Sequence, residues 1–310
     1  MKTVLLILSF FLVGTSFAND PTDSLKIFED QLRQLDSIEN ALHYKTGKIL
    51  LADTKVTINV PENFKFLEAK EARYVLEELW GNLKGQTALG MLVPKNEMAA
   101  IASYAFVVEY SDMGYVKDDD AQEINYDELL KELQDEAIED NKERQAAGIS
   151  SMFLVGWAAK PYYDQSRNVL HWAKEFSSPG EESHTLNYDV RVLGRHGVLI
   201  LQAVSNVNQL DSVKQSINPL LSAVAFTEGN RYADFNETTD NVAAWTIGGL
   251  VAGKMLVKGG FFAFIAKFFK IIVVGFIALG GAIVKRFRNR KTAVEPAPVY
   301  QQADPEQTPV

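Results

Sequence analysis

The spacing of apolar side chains predicts four helices between residues 19 and 241. In residues 23–42 apolar side chains recur every three or four positions, which places them on one face of a helix. The same spacing predicts helices at residues 68–80, 126–147 and 209–224. The third of these has only a narrow apolar stripe and many acidic residues, so we expect most of its surface to be in solvent.

Alternating and β-branched residues between these helices predict strands. Residues 48–60 predict a hairpin that turns at Ala52 and Asp53 and ends before Pro61. Further strands are predicted at residues 89–93, 104–110, 152–157, 169–176, 185–193 and 198–204. Strands this close in sequence favour antiparallel pairing, because a parallel crossover needs a dozen or more residues. The chain therefore predicts an α+β fold with helices packed on an antiparallel sheet.

The first residues have the three parts of a secretory signal peptide. Lys2 is followed by an apolar run over residues 4–13, and small residues flank Phe17. This pattern predicts cleavage after Ala18, because a run of that length is too short to span a membrane. We therefore expect residues 1–18 to be removed and residues 19–241 to form one exported, periplasmic domain.

A long apolar region near the C-terminus predicts a membrane anchor. Residues 242–284 contain no acidic residue, and a basic cluster follows at residues 285–291. We predict an interfacial or first membrane segment at residues 242–258 and a transmembrane helix at residues 259–284. Residues 285–310 are then a basic stop and a disordered cytoplasmic tail, in agreement with the positive-inside rule. This places the protein in a bacterial inner membrane.

Four lysines inside this region leave a second topology open: Lys254, Lys258, Lys267 and Lys270. A lysine in the middle of a membrane costs about 2.5–3.5 kcal/mol on insertion scales. In the alternative, residues 242–257 and 271–284 form a hairpin with the intervening lysines in the cytoplasm. Gly249 and Gly253 would also allow close helix packing, which gives a homo-oligomer through the membrane segment as a weaker hypothesis.

Composition restricts the classes of partner. The chain has 31 Lys and Arg against 40 Asp and Glu, a net charge of −9, and the acidic excess lies ahead of residue 242. An acidic domain repels phosphates, so we expect no nucleic acid partner. The chain has no cysteine, which excludes disulfide bonds, a lipid-bearing cysteine and thiolate metal ligands. The expected partners are the lipid bilayer and a protein of the cell envelope.

Two predicted strands carry the densest set of chemically useful side chains. Alternation puts His171 and Glu175 on one face of their strand, and Asp189 and Arg191 share a face of the next strand. If these faces coincide, the side chains converge on one surface that could support acid–base chemistry. The alternative is an ordinary solvated face of a sheet. The candidate surface consists of His171, Glu175, Asp189, Arg191, Trp157 and Trp172.

No metal or cofactor signature accompanies this surface. The four histidines lack the spacing of a zinc site, and no serine lies in a nucleophile elbow. We therefore expect no metal and no cofactor, and whether the domain is an enzyme is left open, with a non-enzymatic role favoured.

Several motifs in one order resemble a family of uncharacterised bacterial membrane-anchored proteins. They are WGN at residues 80–82, GWAAKPYYDQSRNVLHWAKEF at 156–176, HTLNYDVRVLGRHGVL at 184–199 and FTEGNRYADFN at 226–236. The resemblance covers nearly the whole chain between the signal peptide and residue 284. It implies an inner-membrane protein that faces the periplasm, and it supplies no catalytic residues. The leading hypothesis is a binding or envelope-maintenance module; the alternatives are an envelope-acting enzyme and a self-associating membrane component.

Overall fold

The computed structural model describes residues 21–82, 84–146 and 148–253, which form an α+β fold. The α-helices are α1 (Pro21–Ala41), α2 (Ala69–Tyr74), α3 (Tyr126–Ala146), α4 (Leu210–Ala223) and α5 (Ile247–Ala252). The strands are β1 (Gly47–Leu51), β2 (Val56–Val60), β3 (Phe64–Glu68), β4 (Gly90–Pro94), β5 (Tyr104–Ser111), β6 (Phe153–Asp164), β7 (Val169–Ser177), β8 (Thr185–Leu193), β9 (Val198–Asn206) and β10 (Val224–Phe226). The predicted signal peptide, the transmembrane helix at residues 259–284 and the tail lie outside the described residues.

The strands form two antiparallel sheets. The large sheet has the order β3-β4-β5-β9-β8-β7-β6, and the small sheet has the order β1-β2-β10. This confirms the predicted α+β class with antiparallel pairing and packed helices. The short strand β10 follows α4 and completes the small sheet by pairing with β2.

One face of the large sheet, the small-sheet face, packs on the small sheet and α4. Phe66, Phe106 and Leu201 of the large sheet form one apolar cluster with Ile58 of β2 and Ile217 of α4. Each fully buried side chain of this size contributes about 1.5–3 kcal/mol to stability. The amphipathic pattern of residues 209–224 thus has its explanation in this packing.

The opposite face of the large sheet, the helix face, is covered by helices at its two ends. At the β3–β4 end, Leu76 of the π-helical turn Val75–Leu79 clusters with Met91. At the β6–β7 end, Leu133 of α3 and Val251 of α5 cluster with Trp172. The polar side chains described below lie between these two apolar clusters. They belong to β5, β9, β8 and β7.

Helix α3 covers the free edge of β6. Its Gln134 side chain donates hydrogen bonds to the carbonyls of Leu154 (3.3 Å) and Val155 (3.0 Å). Its Asn141 amide donates to the Met152 carbonyl at 2.9 Å and accepts from the Met152 N–H at 2.7 Å. An unpaired strand edge invites pairing with another chain, so these amides protect the edge.

The described domain continues past residue 241 into α5. All six residues of α5 are buried in the folded domain, and the buried Asp120 carboxylate accepts hydrogen bonds from the N–H groups of Ile247 (3.1 Å) and Gly248 (3.2 Å). Residues 247–252 are thus packed inside the folded domain. An apolar, glycine-rich run suits a protein core as well as a lipid environment, and the sequence alone does not distinguish the two.

In the ranges that the structure describes, no helix combines the length and the apolar character that crossing a bilayer requires.

Candidate functional site

The register between β7 and β8 divides the candidate surface that the sequence predicted. Trp172 lies opposite Asp189 and Leu170 lies opposite Arg191, whereas His171 lies opposite Val190. Directly opposed residues share a face, and neighbours along a strand point to opposite faces. Asp189, Arg191 and Trp172 are therefore on the helix face, and His171 is on the small-sheet face. The predicted convergence of all four polar residues is wrong.

The two separated residues have their own surroundings. Glu175 lies opposite Leu186, and its carboxylate oxygen is 2.5 Å from His184 Nδ1. The His171 ring stands 6.0 Å from the Tyr162 ring, centroid to centroid. Burial, with a smaller contribution from Arg167, lowers the pKa of His171. Neither residue contributes to the helix face.

Trp157 has a structural explanation. It lies opposite Lys174, and its indole N–H donates to the Tyr126 carbonyl at the start of α3, at 3.1 Å. The side chain thereby joins β6 to α3.

A set of polar side chains crosses the helix face from β5 to β7, and we call it the polar row. Strand register places Gln202 of β9 opposite Asp189 of β8, and Asn187 of β8 opposite Lys174 of β7. Glu109 of β5 lies opposite Ile200, which in turn lies opposite Arg191. The polar row consists of Glu109, Trp172, Lys174, Asn187, Asp189, Arg191 and Gln202.

A buried ion pair lies at the centre of the polar row. Arg191 Nη2 donates to Asp189 Oδ1 at 2.7 Å, and the two side chains are 12% and 6% exposed. Gln202 Nε2 donates to the same oxygen at 3.3 Å. The Arg191 guanidinium also stands 5.3 Å from the Trp172 ring centroid, a cation–π distance. These contacts hold the centre of the row in one arrangement.

Two groups beside this pair have no hydrogen-bond partner among the described residues. Both ends of the Asn187 side-chain amide are buried and unpartnered, and the residue is 1% exposed. The indole N–H of Trp172 is also buried and unpartnered, and that residue is 2% exposed. An unsatisfied buried polar group costs about 1–3 kcal/mol. Such groups are rare in folded proteins, and each one needs a specific explanation.

Lys174 completes this end of the row. Its Nζ lies 3.5 Å from the carbonyl oxygen of Val251 in α5, a long hydrogen bond. Burial lowers the pKa of Lys174, with Asp189 acting in the opposite direction. The folded protein therefore makes the charged form of this side chain less favourable than it is in water.

Glu109 closes the row at β5. Burial raises the pKa of its carboxyl group, and Arg191 and the Thr87 hydroxyl, which donates at 3.3 Å, oppose that shift. Both ends of the row thus contain groups whose charged forms are disfavoured, a pattern that is enriched in functional sites.

Glu109→Gln is expected to stabilise the protein at neutral pH and to have little effect in acid. A raised pKa in the folded state gives stability that is present below the unfolded pKa, about 4.3, and is lost as pH rises through the folded pKa. Glutamine is neutral throughout, so its advantage over glutamate should grow across this pH window. Urea unfolding of the purified full-length chain at several pH values measures this difference, and a pH-independent difference would contradict the assignment.

A second polar feature is an open cleft of about 500 Å³ near the turn after β8. Its lining includes Lys55, Asp112, His196 and Asp240. Lys55 pairs with Asp112 at 3.2 Å, and Arg195 binds both oxygens of Asp240 at 2.7 and 2.9 Å. The two carboxylates that line this cleft therefore already have cationic partners from the chain itself. The amide of Asn187, in contrast, has no hydrogen-bond partner among the described residues.

Across the described ranges, no group of three or more His, Asp or Glu side chains is placed to hold a metal ion. The expected lack of a cofactor stays a prediction.

Sequence reasoning missed Lys174, Asn187, Gln202 and Glu109 as site residues. Alternation correctly places Asn187 with Asp189 and Arg191, and Lys174 with Trp172. The signal that could have identified the row is the occurrence of these polar residues in strands that are otherwise apolar. The pairing that joins the two strands' polar faces comes only from the structure.

The chain belongs to the family described as "Protein of unknown function (DUF2167)", whose model matches residues 43–280. Comparison with curated proteins gives no match. Among solved structures, the cyanobacterial PsbP (CyanoP) from Synechocystis sp. PCC 6803 is similar with 10% identity and a TM-score of 0.33, covering 58% of this chain and 91% of that one. The Ran-binding protein Mog1p of Saccharomyces cerevisiae is similar with 12% identity and a TM-score of 0.32, covering 63% and 100%. Likenesses this weak carry no functional argument.

Proposed function

We propose that this chain is a non-enzymatic binding protein that holds a small polar ligand against the polar row. The observation that supports this most strongly is the unpartnered amide of Asn187, which is fully buried beside the equally unpartnered indole N–H of Trp172. A ligand that supplies a donor and acceptors would remove the cost of both groups.

Binding fits the arrangement better than catalysis does. An enzyme that uses His171 and Glu175 together with Asp189 and Arg191 would need all four on one face, and strand register separates them. On the helix face, Arg191 and Asp189 neutralise each other in a buried pair. Such a pair orients its neighbours and leaves no free general base within it.

For location, we propose an exported domain anchored in the bacterial inner membrane. The support is the secretory pattern of residues 1–18 and the apolar run that ends on the basic cluster at residues 285–291. The proposal that a protein of the cell envelope is a further partner depends on this location. Alkaline phosphatase fused after residue 253 should be active and the same enzyme fused after residue 310 inactive; the reverse pattern would refute the topology.

Asn187→Leu is expected to abolish ligand retention. We would extract the full-length protein from membranes in mild detergent, denature it and identify the released small molecules by mass spectrometry. The wild type should release one molecule in near-stoichiometric amount, and Asn187→Leu should release at least tenfold less, because leucine has no hydrogen-bonding groups. His171→Leu is the matched control, because it changes β7 on the opposite face, and it should retain the ligand.

Equal release from the wild type and Asn187→Leu would contradict the proposal. So would the finding that neither protein releases a specific molecule. If His171→Leu also loses the ligand, retention depends on the general stability of the protein rather than on the polar row.

A further inference from the structure

The ammonium group of Lys174 is incompletely paired. Its one hydrogen bond among the described residues is the 3.5 Å contact with Val251, and no described carboxylate lies within 4.0 Å of its Nζ. An ammonium group has three donors. Lys174 is half-buried on β7, so it loses part of its hydration without gaining a close counter-charge. The site therefore offers at least two strong donors to an incoming acceptor.

The groups around Lys174 do not supply that counter-charge. Asp189 and Arg191 on β8 face it, but they are paired with each other at 2.7 Å. Glu136 on α3 also raises the pKa of Lys174 electrostatically, and α5 contributes a carbonyl. Burial is the largest influence and lowers the pKa of Lys174. A ligand anion at this position would restore the charged form and replace the weak contact with Val251.

Asn187 adds a requirement for a donor on the same ligand. It lies directly opposite Lys174 on the same face, which brings their Cβ atoms to about 4.5–5.5 Å. Its Nδ2 can donate and its Oδ1 can accept, and neither does so within the described chain. The indole N–H of Trp172 is a second neutral donor, two positions along β7. Together these groups offer donors to an acceptor-rich anion and one acceptor to an N–H beside it.

We infer that the polar row takes a ligand in which a carboxylate lies next to an N–H group, with Lys174 and Trp172 contacting the carboxylate and Asn187 contacting the N–H. An amino acid and the C-terminal residue of a peptide both carry this chemistry. The inference rests on the binding function proposed above and specifies its ligand class.

Matched probes test the carboxylate. N-acetylglycine has the carboxylate and the N–H, and N-acetylglycinamide has the N–H without the negative charge. Calorimetric titration of the full-length protein, freed of any retained molecule, should show at least tenfold tighter binding of N-acetylglycine. Glycine and glycylglycine, titrated in parallel, distinguish a free amino acid from a peptide end: whichever source the site uses binds more tightly.

Lys174→Met tests the residue assigned to the carboxylate. The methionine side chain is nearly as long as that of lysine and carries no charge. The variant should therefore fold and should bind the two acetylated probes within twofold of each other. Asn187→Leu should weaken the binding of both probes by a similar factor. His171→Leu should keep the wild-type preference, because it lies on the other face of β7.

Equal affinity of the wild type for both acetylated probes would overturn the carboxylate assignment. If Lys174→Met still binds N-acetylglycine at least tenfold more tightly than N-acetylglycinamide, Lys174 does not contact the carboxylate. If the protein releases a specific molecule in the denaturation experiment but binds none of the four probes, the ligand class is wrong and the binding function stands. If the protein releases no specific molecule and binds none of the probes, both the ligand class and the binding function are wrong.

Discussion

Arg191→Met is expected to lower the free energy of unfolding by about 3–5 kcal/mol, because it leaves the Asp189 carboxylate buried without its counter-charge. The pair is held at 2.7 Å with little exposure of either side chain, so water cannot easily replace the guanidinium. The variant also removes the cation from the face of Trp172. Urea unfolding of the purified full-length chain, followed by tryptophan fluorescence, measures the loss at neutral pH.

The double variant Asp189→Leu, Arg191→Met is the control for this prediction. Replacing both partners of a buried ion pair by apolar residues is often neutral or stabilising, so most of the stability lost in the single variant should return. A single variant that loses less than about 1 kcal/mol, the range of exposed pairs, would show that the pair is accessible to water. The polar row would then be a surface feature.

Asn187→Leu is expected to raise the free energy of unfolding of the ligand-free protein by about 1–3 kcal/mol. The reason is the removal of two buried groups that have no partner in the described chain. Leucine has the same branched arrangement of four side-chain heavy atoms and no polar atoms, so it removes the desolvation cost without opening a cavity. A stabilising substitution that abolishes binding is typical of a site that is maintained for function at the expense of stability.

Asn141→Leu is the matched control. Its amide is also buried, at 4% exposure, but both of its ends bond to Met152 at 2.7 and 2.9 Å. The same substitution there should lower the free energy of unfolding by about 1–3 kcal/mol, since it leaves the backbone groups of Met152 unpaired. If Asn187→Leu destabilises the protein as Asn141→Leu does, Asn187 is a structural residue.

Much of the fold could be predicted because its elements have clear periodicities. The amphipathic pattern of α1 and the alternation along β7, β8 and β9 each identify an element within a few residues. The short strand β3 was missed, because Phe64–Glu68 is buried on both faces and continues into α2 without a turn. The three-residue strand β10 is too short to show a period.

The C-terminal boundary shows a different limit. Hydropathy reports that a side chain avoids water, and it does not report whether protein or lipid provides the alternative. Hydropathy therefore groups residues 247–252 with the apolar run that follows, and the structure shows them as the buried helix α5, with Asp120 accepting hydrogen bonds from its first N–H groups. The decisive partner, Asp120, lies more than a hundred residues away in sequence.

The site could be predicted only in part for the same reason. Alternation indicates which residues of one strand share a face, and it correctly places Asp189 with Arg191. It cannot indicate which face of the neighbouring strand aligns with them, because a shift of one residue in register exchanges the two faces. The sequence also contains no information on which buried groups lack partners, and that observation is the one that identifies the polar row.

The most direct test of the binding site is the stability difference between Asn187→Leu and the wild type, measured without and with a saturating amount of the molecule that the wild type releases. Asn187→Leu should be the more stable protein without that molecule and the less stable protein with it, because binding stabilises only the chain that can hold it. If Asn187→Leu is the less stable protein in both conditions, the polar row is part of the structural core and is not a ligand site.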